Sequence, residues 1–267
     1  MWTVLGPLEQ RAPTPENTLP SCAIDGTSDL YGLGIRLSIY VQYLTILVAA
    51  VSGRRLYSKI RTAVLIYAVA ILVVVFRNSI SGKLYALEVP IIQLLVLVQL
   101  SAVLPTVWVI SPVGWLIYMA LAANSAYFVW YWFRGLDKLK RSNCADEYAW
   151  FFAKVSLYQW YRTFNKVFAC FGIIGVLYQI SAVGGIAAAD NVDQTNHVGN
   201  VWGLLPTIPF TIAACEMAIK WNGIKKVNSI DSTGQLIPLV LSIGQLLHFL
   251  YSGVRRVVND EDDDTLA

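Results

Sequence analysis

The sequence predicts an all-α protein, a polytopic bundle of about seven transmembrane helices, with six to eight crossings compatible with the pattern. Of its 267 residues, 56% are hydrophobic and 14% are charged, whereas a soluble domain is about 45–50% apolar and about 25% charged. The mean hydropathy is +0.55. This composition excludes a soluble globular enzyme and a disordered chain. It favours an integral membrane protein embedded in the lipid bilayer.

Charge and cysteine content exclude further classes. The net charge is +3, so there is no basic field for a nucleic-acid backbone, and we expect no nucleic-acid partner. The two histidines and four cysteines lack the spacing of a zinc or iron–sulfur site. We therefore expect neither a metal nor another cofactor. Because apolar helices can supply the stability, we expect no disulfide framework either.

The transmembrane bundle is predicted over residues 32–254, between an extramembrane segment at 1–31 and an acidic tail at 255–267. Each apolar segment has close to the ~20 residues that cross a ~30 Å hydrocarbon core. The segments are 33–51, 62–80, 84–104, 113–133, 167–189, 201–221 and 235–254. The first segment is preceded by no apolar signal-peptide core. We expect it to direct the chain to the endoplasmic reticulum or another membrane of the secretory pathway.

The basic loops conflict over orientation. The loop at 53–61 carries four Arg and Lys residues, which predicts a cytoplasmic location for it and an N-terminus outside. The loop at 134–147 also carries four and predicts the same side, although three segments separate the two loops. Either one segment between 62 and 133 does not cross, or charge does not decide the second loop.

Residues 148–166 differ in composition from the spans. Eight aromatic residues are interspersed with Lys154, Arg162 and Lys166. This mixture is typical of an amphipathic helix in the headgroup zone or of the foot of a membrane helix. We interpret its aromatic residues as membrane anchors rather than as a ligand cage.

Arg36 and Asp29 are charged residues at the start of the first span, and we assign both to substrate binding. They lie two helical turns apart, on one face if the helix begins at Asp29. Gly32 and Gly34 between them would let a neighbouring helix approach closely. Arg36 either extends to the headgroups or is buried beside an acid of another helix, where it would bind an anionic or phenolic group.

Glu88 and Glu216 are the acidic residues of the later spans, and we assign both to catalysis. Either is a predicted partner for Arg36. The alternative for Glu88, which begins the third span, is an acid at a helix end. The alternative for Glu216 is an ion pair with Lys220 at i+4. A Glu216 that faces the bundle would be protonated in that apolar environment and would donate a proton.

Three further polar residues of the spans are assigned to substrate binding, namely Gln99, Asn124 and His248. Gln99 shares a helix face with Glu88, and His248 lies one turn after Gln245. The alternative for all of them is hydrogen bonding between helices, worth about 0.6 kcal/mol each on average.

A short motif at the start of the first helix resembles a group of multi-spanning membrane proteins from filamentous fungi. The motif is Asp-x-x-Gly-x-Gly-[Ile/Val]-Arg, formed here by Asp29, Gly32, Gly34, Ile35 and Arg36. In length, span number and intramembrane acids the chain is also similar to the membrane-bound terpene cyclases of fungal meroterpenoid pathways. That resemblance implies a prenylated aromatic substrate such as an epoxy-farnesyl phenol. It also implies protonation of the epoxide by a deep acid and stabilisation of the carbocation by aromatic rings without metal.

Three functions are therefore open. The one we predict is a cofactor-independent terpene cyclase or isomerase that acts on a lipophilic small molecule, with other pathway enzymes as partners in the same membrane. The second is a small channel or transporter with its polar residues along one path, although no inverted repeat supports it. The third is a non-catalytic membrane protein whose polar groups only hold helices together.

Overall fold

The computed structural model describes residues 24–52, 54–102, 112–142, 144, 146–186 and 199–264. Within these residues the protein is mostly helical, at 77%, and forms seven long helices. Each of the seven predicted apolar segments overlaps one of them. The helices are α1 (Ser28–Tyr31), α2 (Leu33–Ser52), α3 (Arg54–Ile80), α4 (Glu88–Ala102), α5 (Pro112–Trp130), α6 (Leu136–Lys138), α7 (Trp160–Ile186), α8 (Gly199–Trp221) and α9 (Thr233–Asp264).

Three stretches within the described residues are long and apolar enough to cross a bilayer. They are Ser28–Ala49, Ile60–Ile80 and Thr233–Gly253, and Glu88–Ala102 is a shorter apolar helix. The prediction of a helical protein is confirmed, and these three stretches are compatible with a location in a membrane.

Several connections between helices meet at one end of the bundle. We call it the hairpin end, because the β-hairpin formed by residues 148–156 lies there. There Asp25 bridges to Lys225, and Tyr85 bridges to Lys140. The backbone of Tyr148 bonds to the Asn222 side chain through both its N–H and its C=O. Helices α2, α4, α7 and α9 therefore begin at the hairpin end, and α3, α5 and α8 run back toward it.

Helices α2 and α9 approach each other closely where both begin. A Cβ on Gly34 would lie 2.6 Å from the backbone oxygen of Gln235, and a Cβ on Gly32 would lie 2.6 Å from its side chain. The Gly34 N–H also donates to Gln235 Oε1 at 3.3 Å. The predicted role of the two glycines in close helix packing is confirmed, because any larger side chain would separate these backbones.

The segment at 148–166 does not form one amphipathic helix, and only its last part, from Trp160, is the first part of a long helix. Strands β1 (Tyr148–Trp150) and β2 (Lys154–Ser156) pair in an antiparallel hairpin, and helix begins only at Trp160. Ala149 and Val155 are buried while their neighbours are not. This alternation has the period of a strand, which the aromatic content of the segment obscured.

The segments that flank the predicted bundle are structured where they are described. Residues 24–31, part of the predicted extramembrane segment, pack on the bundle, since Leu30 and Tyr31 are buried. The acidic tail continues α9 as helix up to Asp264. Cys144 is disulfide-bonded, which the sequence did not predict, whereas Cys170 and Cys215 are free.

Candidate functional site

A cavity of about 280 Å³ lies between α4, α5, α7 and α8, beneath the hairpin. This volume lies just below the ~300–1,000 Å³ typical of ligand pockets. Its wall is largely aromatic, and the rings include Phe128, Trp132, Trp150, Phe151, Phe168 and Phe210. The cavity suits one ring system or a short isoprenoid chain.

The aromatic wall is held together by contacts between ring edges and ring faces. Trp132, which is almost completely buried, meets Phe128 at a centroid distance of 6.0 Å and Tyr161 at 5.6 Å. Phe128 in turn meets Phe168 of α7 at 6.3 Å. Edge-to-face pairs of this kind are worth about 0.5–1.5 kcal/mol each beyond burial, so they stabilise the shape of the cavity.

The hairpin closes one end of the cavity by contacting both α7 and α8. Trp150 lies 5.1 Å from Phe210 of α8, and Phe151 lies 5.1 Å from Phe164 of α7, measured between ring centroids. Phe152 at the turn has a left-handed φ of 57°. Such a backbone is unfavourable for a bulky residue, and here it places neighbouring rings on opposite helices.

Three of the residues that line the cavity carry polar atoms that lack a hydrogen-bond partner among the described residues, and these atoms are buried in the protein rather than exposed to the cavity. The atoms are Gln93 Nε2 and Oε1, Asn124 Oδ1 and Trp132 Nε1. Asn124 is the predicted substrate-binding residue that the structure does place at the cavity. The sequence assignment missed Gln93 and Trp132, although Gln93 is a polar residue in a strongly apolar helix.

Arg36 is buried and paired with an acid of another helix, as one of its two predicted roles required. Its side chain is 1% exposed, and its Nε lies 2.9 Å from Glu216 Oε1. The guanidinium also donates to the Asn228 side chain and to the backbone oxygen of Tyr31, both at 3.1 Å. Tyr40 donates to the same Glu216 oxygen at 3.1 Å. The Glu216 carboxylate therefore contacts side chains of α2, on the side of α8 that faces away from the cavity.

Glu88 is fully buried and accepts three hydrogen bonds. Its Oε1 accepts from the Thr27 N–H at 2.6 Å and from the Tyr31 hydroxyl at 2.8 Å, and its Oε2 accepts from the Tyr85 N–H at 2.8 Å. Every contact places the carboxyl group in the role of acceptor. This geometry ties the start of α1 and the 81–87 connection to the first turn of α4.

The remaining predicted site residues lie apart from the cavity. Gln99 donates to Gln42 Oε1 at 2.8 Å in the core between α4 and α2. Asp29 is exposed and accepts from Ser232 at 3.2 Å, beside the start of α9. His248 is on the exposed face of α9. The structure thus brings Arg36 and Glu216 together but places only Asn124 at the cavity.

The described residues therefore hold an aromatic cavity and, separately, two groups of buried charge. In the part of the chain that is described, no three His, Cys, Asp or Glu side chains are placed to share a metal ion. Cys215 lines the cavity wall, whereas the carboxylate of the next residue, Glu216, contacts α2. Comparisons with protein-family models, with curated proteins and with solved structures find no match to this chain.

Proposed function

We propose that this chain is a multi-spanning membrane protein that binds a lipophilic small molecule in the aromatic cavity. The observation that carries the proposal is the cavity wall itself, where apolar rings surround a few neutral polar groups. Ligand sites of small molecules have this composition, with a mostly apolar lining and few polar groups that fix orientation. A cavity between membrane helices would be supplied with such a molecule by the bilayer.

Terpene cyclisation is the enzymatic form of this proposal. Rings such as Phe128, Trp132 and Phe168 present the π-systems that stabilise a carbocation, and they favour a prenylated aromatic substrate. Protonation of the substrate by Glu88 or Glu216 has less support than binding, because both side chains make their contacts outside the cavity. We therefore reassign both acids from proton transfer to holding the helices around the cavity.

The contacts of the buried polar residues give the channel hypothesis less support than the binding hypothesis. Gln99 pairs with Gln42, Glu88 pairs with Tyr31, and Arg36 pairs with Glu216. These are separate closed groups among the described residues, whereas a conducting path needs polar groups that face a continuous opening.

We propose seven spans, with the hairpin end facing the lumen of the secretory pathway and the C-terminus in the cytoplasm. The disulfide of Cys144 supports this orientation, since disulfides persist in oxidising compartments. The loop at 53–61 is then cytoplasmic, which is the location that its four Arg and Lys residues predict. The basic residues at the hairpin end have local partners: Lys140 lies over the Tyr85 ring, and Arg162 bonds to Asp137 and lowers its pKa.

This orientation predicts opposite protection of the two ends in sealed microsomes. A tag placed after Ala267 is expected to be digested by added protease. A Ser81→Cys variant is expected to react with a membrane-impermeant maleimide only after detergent is added, because Ser81 is exposed at the hairpin end. Labelling of intact microsomes at position 81, with a protected tag, would reverse the proposed orientation.

The binding proposal predicts that filling the cavity removes ligand binding. Gly172 lines the cavity, and a Cβ there meets nothing within 4 Å, so Gly172→Leu places a side chain in open space without a backbone clash. We would incorporate the protein into nanodiscs and photolabel it with a farnesyl chain that carries a diazirine and no polar group. Labelled peptides are expected at the cavity wall, and Gly172→Leu should reduce their labelling at least about fivefold, as the loss of a well-filled apolar site would.

Gly175→Leu is the matched control, because this glycine is also unobstructed and lies one turn further along α7, outside the cavity lining. It should label like the parent protein. Equal labelling of the Gly172→Leu and Gly175→Leu variants, or labels spread over the exposed face of α9, would contradict the binding proposal. Microsomes given an epoxy-farnesyl phenol test the enzymatic form, since a cyclised product detected by mass spectrometry should disappear with Gly172→Leu and persist with Gly175→Leu.

A further inference from the structure

We propose that the cavity continues along α8 into an open groove, and that its ligand is an elongated lipophilic molecule whose hydrocarbon tail lies in that groove. This inference rests on the proposed binding function and adds the length and the entry route of the ligand. The groove is formed by residues of the hairpin and of α8, namely Trp150, Phe152, Pro206, Thr207, Pro209 and Phe210. Trp150 and Phe210 also line the cavity, so the two spaces adjoin at these side chains.

The aromatic rings at this junction form one compact cluster. Trp150 lies 5.1 Å from Phe210 and 5.3 Å from Phe152, measured between ring centroids. Phe152 lies 5.5 Å from Phe210. Phe152 is 75% exposed and lines only the groove, whereas Phe210 is half-buried and lines both spaces. The enclosed cavity therefore becomes an open groove at these three rings.

One ridge of side chains on α8 runs through both spaces. Ala218, Ala214 and Phe210 line the cavity, and Phe210 and Pro206 line the groove, each four residues from the next. Four residues advance the ridge by about 40° around the axis of a helix with 3.6 residues per turn, so the ridge turns from the interior to the surface. Ala218 and Ala214 are buried, whereas Pro206 is exposed. At 1.5 Å per residue the ridge is about 18 Å long, which suits an extended chain.

The position of the groove decides which end of the ligand it holds. Pro206 and Pro209 lie close to the middle of α8 and are exposed, so they face the hydrocarbon core in the seven-span arrangement. A polar group at that depth would have no water to bond to, which is costly. The part of the ligand in the groove is therefore a hydrocarbon tail, and a ring or a polar group of the ligand lies in the cavity.

The hairpin and the neighbouring helices leave a lateral route into the cavity. Strand β1 packs on α8 and strand β2 packs on α7, so the hairpin lies between these two helices. Phe168 of α7 lines the cavity and is 52% exposed. The cavity wall thus reaches the outer surface of the bundle at α7, and the groove reaches it at α8. A molecule dissolved in the bilayer enters from the side and does not pass through water.

The test is photolabelling in nanodiscs with two probes that share a farnesyl-benzene skeleton. The ring probe carries a diazirine on the benzene ring, and the tail probe carries it at the far end of the chain. The ring probe is expected to label the cavity wall of α7, at Phe168 and Gly172. The tail probe is expected to label residues 206–209 and the tip of the hairpin. A prenyl-benzene with the diazirine at the end of its much shorter chain should label only the cavity.

Three variants test whether one molecule occupies both spaces. Gly172→Leu fills the cavity, so it should reduce the groove label of the tail probe by the same factor as the cavity label of the ring probe. Phe152→Gly removes one wall of the groove at an exposed turn whose φ of 57° suits glycine. It should reduce the label of the tail probe at 206–209 about two- to tenfold, the effect of one aromatic contact. Phe171→Ala is the matched control, because Phe171 is exposed on α7 and lines neither space, and it should label like the parent protein.

The possible failures are distinguishable. If the ring probe does not label the cavity in the parent protein, the proposed binding function itself is wrong. If the ring probe labels the cavity but the tail probe labels the same residues, or labels lipid-facing surfaces at random, the groove is not part of the site and the binding function stands. A groove label that persists in Gly172→Leu would mean that an independent lipid chain fills the groove, and this result would also overturn the inference.

Discussion

Replacing Glu88 with leucine is expected to lower the free energy of unfolding by about 3–5 kcal/mol. The carboxylate accepts from the Thr27 N–H, the Tyr31 hydroxyl and the Tyr85 N–H, and it is fully buried. Each donor left without a partner costs about 1–3 kcal/mol. Titration of the protein in mixed micelles with a denaturing detergent measures the loss.

Tyr31→Phe is the control for this variant, because it removes one of the three donors and leaves the acceptor in place. We expect it to cost about 1 kcal/mol. Glu88→Gln should be intermediate, since its carbonyl oxygen still accepts while its amide nitrogen faces a donor. A Glu88→Leu protein that unfolds at the same detergent fraction as the parent would contradict the structural role assigned to this acid.

Replacing Arg36 with leucine is expected to have an effect of similar size, about 3–5 kcal/mol. The side chain is 1% exposed, and its removal leaves Glu216 without its counter-ion and the Asn228 side chain and the Tyr31 carbonyl without this donor. Because the Glu216 side chain is 41% exposed, water compensates part of its loss, and Glu216→Leu should cost less than Arg36→Leu. The same micelle titration compares the two.

The double variant decides whether the pair acts as a unit. Arg36→Leu combined with Glu216→Leu should be less destabilised than the sum of the single variants, since the second change removes a charge that the first left unpaired. Lys226→Ala is the control for a solvated ion pair. Lys226 and Asp25 are 69% and 59% exposed, and breaking such a pair costs about 0–1 kcal/mol. Strict additivity at Arg36 and Glu216 would mean that their contact contributes no stability.

The expected losses of stability in the Glu88 and Arg36 variants have the same consequence for function. Both Glu88 and Arg36 fasten α1 and the start of α2 to helices that also form the cavity, Glu88 through α4 and Arg36 through α8. If Glu88 or Glu216 were the proton donor of a cyclase, its Gln variant would lose turnover out of proportion to its loss of folded protein. We expect turnover and folded fraction to fall together.

The helices of the fold were predictable from the sequence because each depends on local chain properties. An apolar run of about 20 residues must satisfy its backbone internally in lipid, and helix is the solution available within one segment. The pairing of Arg36 with an acid was also within reach, since a cation in an apolar span needs one. The close approach of a neighbouring helix to α2 was predictable from Gly32 and Gly34, where the sequence removes the side chains that would prevent it, whereas only the structure identifies that helix as α9.

The sequence did not show which of the polar residues meet. Glu88 and Glu216 are both acids in apolar surroundings, and only the neighbours supplied by distant segments, such as Tyr85 with Thr27 for one and Arg36 with Tyr40 for the other, separate their roles. The hairpin at 148–156 was hidden for a related reason. Its six paired residues are too few for a strand period to stand out against aromatic anchors.

Composition and the length of the apolar runs by themselves determined that this is a helical protein suited to a membrane, and they marked the few residues whose charge demanded a partner. Only the tertiary structure decided where a cavity forms and what lines it. A cavity is the space left between helices far apart in the chain, and its lining depends on their rotation. Gln93 faces it whereas Gln99, six residues further along the same helix, bonds to α2.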